Sequence, residues 1–425
     1  MHSAVHDTIA AVWRIESARI VAAVARRVRD LGVAEELAQD ALVAALERWP
    51  IDGLPDKPAA WLMTTALNLA LDHLRHRQMT SQRHDDIAAD TEALQAHVVP
   101  DFSDELDHRR EQATIGDDLL GLIFTACHPV LGAEARVALT LKLLGGLSTA
   151  EIARAYLVPE TTMAQRIVRA KRTLAEAGVS FEVPQGQELA RRLGSVLEVI
   201  YLIFNEGYTA TSGTHWMRPA LCDEALRLGR VLAQLAPEEA EVHGLVALME
   251  IQASRTAART DPQGRPILLA DQNRARWDRL LIRRGLAALD RAQALDQGAG
   301  RYRLQAEIAA CHARALQARD TDWHRIAMLY AELMQVAPSP VVELNRSVAV
   351  GMAEGPAAGL AVVTPLLNDK TLQRYPWLWA VHGDLLERLG RHAQARSAFE
   401  RAASLAGNDQ DRHTLLRRAS NVSGD

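Results

Sequence analysis

Apolar residues recur at intervals of three and four along most of the chain, and runs of β-branched residues are scarce, so the pattern predicts an almost wholly helical protein. Ile9, Val12, Trp13, Ile20, Val24 and Val28 form one such face. The stretch Ala34 to Trp49 turns Leu37, Ala41, Ala44, Ala45 and Leu46 toward a core and leaves Glu35, Glu36, Gln39 and Asp40 as an acidic, polar front. Pro50, Pro55 and Pro58 are expected to halt that helix and redirect the chain. A third helix, Ala59 to Gln78, has Leu67, Leu71 and Leu74 on one face and Asn68, Asp72 and Arg75 on another. Its C-terminal end gathers Arg75, His76 and Arg77, which suit the negative end of the helix dipole and equally a row of phosphates.

The most informative stretch runs from Leu147 to Leu174. Ser148 with Glu151 three positions on reads as a capping box that starts a short helix. Ile152 and Ala153 face inward, Leu157 and Val158 fill a corner, and Pro159 opens a second helix. In that helix Met163, Ile167, Ala170 and Leu174 make one apolar stripe. The remaining faces carry Thr161, Thr162, Gln165, Arg166, Arg169, Lys171 and Arg172. From Pro159 to Leu174 there are four bases and one acid, Glu160. Arginine can grip guanine, and glutamine adenine, with paired hydrogen bonds in a major groove. A solvated amphipathic hairpin is the plainer alternative for this stretch taken alone.

Composition narrows the choice. The chain has 425 residues, enough for several domains, with 48% hydrophobic and 24% charged residues. A net charge of −5 does not suit a free-standing, tight DNA binder; it suits local basic patches whose DNA binding depends on a partner. Cys127, Cys222 and Cys311 lie far apart with no CxxC pair, which points to small buried side chains in a reducing cytoplasm. No uncharged run is long enough to span a membrane, and Arg14, Glu16 and Arg19 interrupt the apolar stretch near the N-terminus. His73, His76, His84, His382 and His392 show no metal-ligand spacing. No nucleotide-binding loop, dinucleotide fingerprint or Ser-His-Asp pattern is present, so the expectation is a protein with no enzymatic activity, no cofactor and no metal.

The pair AEELAQDALVAALERW and WLMTTALNLALDHLRHR, followed in order by the helix-turn-helix stretch, resembles an extracytoplasmic-function sigma factor of the sigma-70 family. The resemblance implies an all-α protein with a region 2 domain (1–78), a linker (79–115) and a region 4 domain (116–180). It implies that Glu36, Gln39 and Asp40 dock on the β′ clamp helices of RNA polymerase, and that the β flap is a further contact. It places Trp61, Asn68, Asp72, Arg75 and Arg77 at the −10 promoter element, with the corner Ile51 to Pro58 walling a pocket for a flipped base. Glu160, Thr162, Gln165, Arg166, Arg169, Lys171 and Arg172 would address the −35 element. Leu157, where many such units have glycine, and Ala164, where many relatives have a base, depart from the pattern. The linker has nine Asp and Glu against three Arg, so it is expected to lack a packed core. Its acids Asp101, Asp104, Glu105 and Asp107 would suit a basic channel in polymerase. Leu119, Leu120, Leu122, Ile123 and Phe124, with Val137, Leu139, Leu141, Leu143 and Leu144, should form the region 4 core.

More than half the chain follows. The segment 186–425 has the pattern of a helical-repeat array. Pro237 and Pro338, at similar turns 101 positions apart, are spaced as about three units of 34 residues. Leu385 to Ala406 is the clearest hairpin, with Gly390, Ala393, Ala395, Ala398, Phe399 and Ala402 at packing positions. With FNEGYTAT and the Asp320 to Trp323 motif, it resembles the sigma-factor subgroup with a C-terminal tetratricopeptide-like domain. Gly207 is expected to cap its helix in the left-handed conformation. Asn205, Glu206 and Tyr208 are expected to fix a turn or to contact the sigma domains; a catalytic or ligand-binding loop is the alternative. The resulting expectation is a promoter-recognition subunit whose partners are core polymerase and promoter DNA. Its C-terminal domain would modulate activity by an intramolecular contact or a protein partner. The rival readings are a helix-turn-helix regulator that works without polymerase, and a repeat scaffold or ligand-binding enzyme with sigma-like helices appended.

Overall fold

In the computed structural model, residues 2–85, 118–156, 158–208, 218–261, 267–407 and 409–422 are described, and they form two units meeting after Ile200. The first unit begins with α1 (His2–Val28), α2 (Leu31–Asp52) and α3 (Pro58–Asp85). Asp30 starts α2 as its N-cap, accepting from the backbone of Gly32 at 2.8 Å and Val33 at 3.0 Å. Ile20, Val24 and Val28 of α1 are buried with Leu37, Ala41, Ala45 and Trp49 of α2. Pro50 does not halt α2. Proline removes one backbone donor in the last turn, and the helix ends at Gly53, whose φ of 91° side chains rarely tolerate. Leu46 is exposed and Ala44 only half-buried, contrary to the expected core face.

The register of α3 also differs from expectation. Leu62, Ala66 and Ala70 form its buried line, whereas Leu67 and Leu74 are half-buried and Leu71 is exposed. Two alanines let α3 approach α1 and α2 closely, and the larger leucines are left along the margin. The helix continues to Asp85, through the start of the expected linker. The linker acids Asp101, Asp104, Glu105 and Asp107 lie outside the described residues, as does Leu157.

The rest of the first unit contains α4 (118–126), α5 (Ala133–Leu143), α6 (Thr149–Ala155), α7 (Glu160–Glu176) and the first part of α8 (Gly186–Tyr208). Leu122, Ile123, Phe124, Leu139 and Leu141 are fully buried, as the periodicity predicts. Arg192 of α8 donates to the Phe124 carbonyl at 3.0 Å, and Ser195 to the Cys127 carbonyl at 2.6 Å. These bonds satisfy carbonyls at the end of α4 and hold the first part of α8 on the region 4 core. The unit boundary therefore falls inside α8 and not ahead of residue 186.

The second unit continues with α9 (Pro219–Leu235), α10 (Ala240–Ala253), α11 (Arg279–Ala294), α12 (Arg301–Arg314) and α13 (Trp323–Val336). It closes with α14 (Pro340–Ala353), α15 (Pro356–Val363), α16 (Pro376–Arg388), α17 (His392–Leu405) and α18 (Asp409–Asn421). Each helix from α9 to α18 packs on the next in sequence, the contact pattern of a hairpin array. Pro237 and Pro338 sit in the turns before α10 and α14, and Phe399 of α17 is fully buried among Ala395, Ala402 and Leu386. Ala393, expected at a packing position, is exposed.

Gly207 is not a left-handed cap. It lies within α8, where an added Cβ would come 2.6 Å from the Cys222 backbone nitrogen, so glycine is required by the close approach of α9. The same argument makes a prediction at Gly244 of α10, where a Cβ would meet the Arg303 nitrogen at 2.7 Å. Backbone cannot rotate aside, so Gly244→Ala is expected to cost about 1–3 kcal/mol of stability, read as a lowered unfolding midpoint by calorimetry.

Candidate nucleic-acid interface

The short helix α6 begins with the expected reciprocal cap. Ser148 Oγ accepts from the Glu151 backbone at 3.2 Å, and Glu151 Oε2 accepts from the Ser148 backbone at 2.8 Å. This fixes the direction of α6, whose Ile152 and Ala153 are buried against the region 4 core. In α7, Met163, Ile167, Ala170 and Leu174 are all at most 4% exposed. With that stripe buried, helical geometry turns Glu160, Thr162, Gln165, Arg169 and Arg172 toward solvent, and all five are exposed.

Two expected DNA-facing bases are instead engaged within the unit. Arg166 is half-buried and pairs with Glu134 of α5 at 2.7 Å. Lys171 Nζ donates to Glu35 Oε2 of α2, and Lys142 Nζ of α5 lies 3.8 Å from the other carboxylate oxygen. Glu35 is buried and so does not belong to a solvated front. Gln39 donates to it at 3.1 Å. One carboxylate thus gathers α2, α5 and α7, while Arg26 of α1 and Asp118 of α4 add a second link at 3.3 Å. Arg172 pairs with Glu176 at 3.4 Å on open surface, where such a pair constrains little. Arg169 makes no ion pair among the described residues. Sequence periodicity separated the buried and exposed faces of α7, but it held no signal for the long-range pairings of Arg166 and Lys171.

On α3, Asn68, Asp72, Arg75 and Arg77 are exposed, and Asp72 pairs with Arg75 at 3.3 Å. Trp61 is half-buried, its ring meeting Trp49 edge-on with centroids 5.4 Å apart, so it braces the start of α3 against α2. The corner between α2 and α3 presents Ile51, 84% exposed, and Leu54. Glu36, Gln39 and Asp40 are exposed on α2. Two polar faces on separate helices, one rich in bases and hydrogen-bonding groups, are thereby available for nucleic acid or protein.

In the second unit, FNEG belongs to helix and not to a loop. Tyr201 bonds to Gln305 at 3.2 Å and also to Asn205. Glu206 pairs with Arg218, and Tyr208 stacks on Phe204 with centroids 5.5 Å apart. Asp322 caps α13, accepting from the Arg325 backbone at 2.9 Å. Beside it, His312 meets Trp323 edge-on. Burial first, then Arg255 and Arg274, lowers His312 to about 3. A histidine depressed in the fold contributes stability above its unfolded value of about 6.5, and loses it as pH falls toward the folded value. Between pH 6.5 and 4.5, His312→Gln should therefore flatten the acid loss of stability of the second unit, by at most about 1.4 kcal/mol per pH unit. Denaturant titrations across that window measure the slope.

Among the described residues, no helix is long and apolar enough to cross a membrane. No group of three or more His, Cys, Asp and Glu there could hold a metal ion.

The helical architecture and its two polar faces define a sigma-70 type protein: residues 15–80 match the sigma-70 region 2 family and residues 122–174 the sigma-70 region 4 family. Residues 192–293 match a family of unknown function, DUF6596, so the tetratricopeptide reading rests on the hairpin pattern and not on a family match. An uncharacterized protein of Rhizobium meliloti (strain 1021) is 44% identical over 387 residues, 91% of this chain and 89% of that protein. The ECF RNA polymerase sigma factor SigK of Mycobacterium ulcerans (strain Agy99) is 31% identical over 172 residues, 40% of this chain and 84% of that protein. The probable ECF RNA polymerase sigma factor SigI of Mycobacterium tuberculosis (strain ATCC 25618 / H37Rv) is 30% identical over 184 residues, covering 43% of this chain and 59% of the relative. The chain belongs to the ECF sigma-factor family.

Proposed function

We propose that this sigma factor directs core RNA polymerase to promoters through both a −35 and a −10 contact, and that its second unit tunes that activity. The observation that carries the reading is the exposed face of α7, with Gln165 and Arg169 opposite a fully buried stripe. A groove-entering helix needs such donors on its outer side. The exposed α3 groups Asn68 and Arg75 fit the complementary task of receiving an unpaired base and holding phosphate, and Ile51 and Leu54 offer apolar surface next to them. Glu36, Gln39 and Asp40 fit the polymerase contact on the same helix as Glu35. The protein contributes binding and strand separation, and polymerase makes the phosphodiester bonds.

A net charge of −5 disfavours the reading in which the helix-turn-helix acts alone on duplex DNA. Run-off transcription with the full-length protein tests the choice. Added to core polymerase, it should give promoter-dependent transcripts and copurify with the core. Binding of duplex promoter DNA by the protein alone, with no association with polymerase, would favour the other reading.

A further inference from the structure

The second unit encloses a cavity of about 280 Å³ whose lining includes Tyr208, Arg255, Arg259, Gln272, Thr414 and Arg418. Its walls come from α8, the turn after α10, the segment after residue 267, and α18. The arginines differ in how they are neutralised. Arg418 is held by Asp384 and Glu387, each at 2.8 Å, and stacks on Phe399. Arg255 makes no ion pair among the described residues. It donates to the Gln252 side-chain oxygen and lies 5.9 Å from the ring centroids of both Tyr208 and Trp277. Arg259 is 6% exposed, donates to the Tyr208 carbonyl, and lies 3.5 Å over the Tyr208 ring.

A third arginine, Arg274, backs this pair from behind Trp277. Its guanidinium donates to the carbonyls of His312 and Ala315, both at 2.8 Å, and to the Thr321 hydroxyl at 3.0 Å, which are all neutral acceptors. The charge of Arg255 disfavours the protonated forms of Arg259, Arg274 and His312. Like charges gathered in a poorly hydrated place are costly, and an anion seated among them would offset that cost.

Two polar atoms sharpen the identity of that anion. Arg255 Nε is buried and makes no hydrogen bond among the described residues, so this guanidinium retains a donor for a second oxygen. Gln272 is oriented by its amide, which donates to the Ile267 carbonyl at 3.1 Å. Its Oε1 is then a buried acceptor that makes no hydrogen bond among the described residues. The Asp411 side of the cavity is acidic and repels a second anionic group there. Paired guanidiniums suit a phosphate, which accepts several directed hydrogen bonds, and the acceptors Gln272 and Asp411 suit hydroxyl donors. The volume lies near the lower end of small-molecule sites, enough for a phosphate and a five- or six-carbon body.

We propose that this cavity binds a small phosphate monoester bearing hydroxyl groups, such as a sugar phosphate. Arg255 and Arg259 hold the phosphate, and Gln272 accepts from a hydroxyl. The inference does not depend on promoter recognition, since binding is measured without DNA or polymerase.

The test is calorimetric titration of the full-length protein with glucose 6-phosphate, ribose 5-phosphate, inorganic phosphate and glucose. At least one sugar phosphate should bind saturably at one site per chain, more tightly than inorganic phosphate, and glucose should give no signal. Arg255→Met should weaken that binding at least about tenfold, the scale of losing a charged hydrogen-bonded contact. Gln272→Leu leaves the positive charges in place and should narrow the gap between the sugar phosphate and inorganic phosphate. No saturable binding of either sugar phosphate up to about 10 mM overturns the proposal. So does equal binding by wild type and a folded Arg255→Met variant. If Arg255→Met fails to fold, an unchanged sugar-phosphate preference in folded Gln272→Leu overturns it.

Discussion

Arg169→Ala should lower promoter-dependent transcription about tenfold or more at limiting protein, without lowering the unfolding midpoint. Arg169 is exposed on α7 and makes no ion pair among the described residues, so the folded protein loses little when it is truncated. A lost two-bond contact to a base is worth about 1–3 kcal/mol, and 1.4 kcal/mol is already tenfold in binding. Arg166→Ala should behave differently. Its guanidinium is turned to Glu134, half-buried, so its removal should fall first on the stability of region 4. The pair of variants is read by run-off transcription and thermal unfolding. If Arg169→Ala kept full promoter selectivity, the exposed face of α7 would not be the face that reads DNA.

The contrast between those two arginines also marks how far sequence reasoning reached. Spacing alone gave the buried stripe Met163, Ile167, Ala170 and Leu174, and the Ser148–Glu151 cap, because both are local and repeat with the helix. It assigned Arg166, Lys171 and Glu35 to solvent, because their partners come from other helices, and 136 positions separate Lys171 from Glu35. The α3 error has a related cause. Leucine was weighted above alanine as a core residue, but the closest helix approach belongs to Ala66 and Ala70, and small size was the feature that counted. Pro50 and Gly207 were read as punctuation from residue type alone. The fold uses Gly53 to end α2 and Gly207 to admit α9. The arginine cavity left no mark in the sequence, since Tyr208, Arg255, Gln272 and Arg418 share no local motif.

The second large effect is expected at Glu35. Its buried carboxylate faces Lys171 and Lys142 and accepts from Gln39, so Glu35→Ala leaves two ammonium groups and an amide without their shared acceptor. Removing one partner of a fully buried pair costs about 3–5 kcal/mol. Both lysine side chains keep 22% of their exposure, and water can recover part of that loss, so about 1–3 kcal/mol is expected here. Lys171→Met should lose less, because Lys142 stays to neutralise Glu35. A double-mutant cycle isolates the link: the double variant should lose less stability than the sum of the single variants, since the second change has no partner left to abandon. Unfolding followed by calorimetry supplies the three differences. Strict additivity would mean that α2 and α7 are not joined through this carboxylate. Non-additivity would mean that the polymerase-facing helix and the DNA-facing helix share one electrostatic fastening, which a partner engaging both must either keep or open.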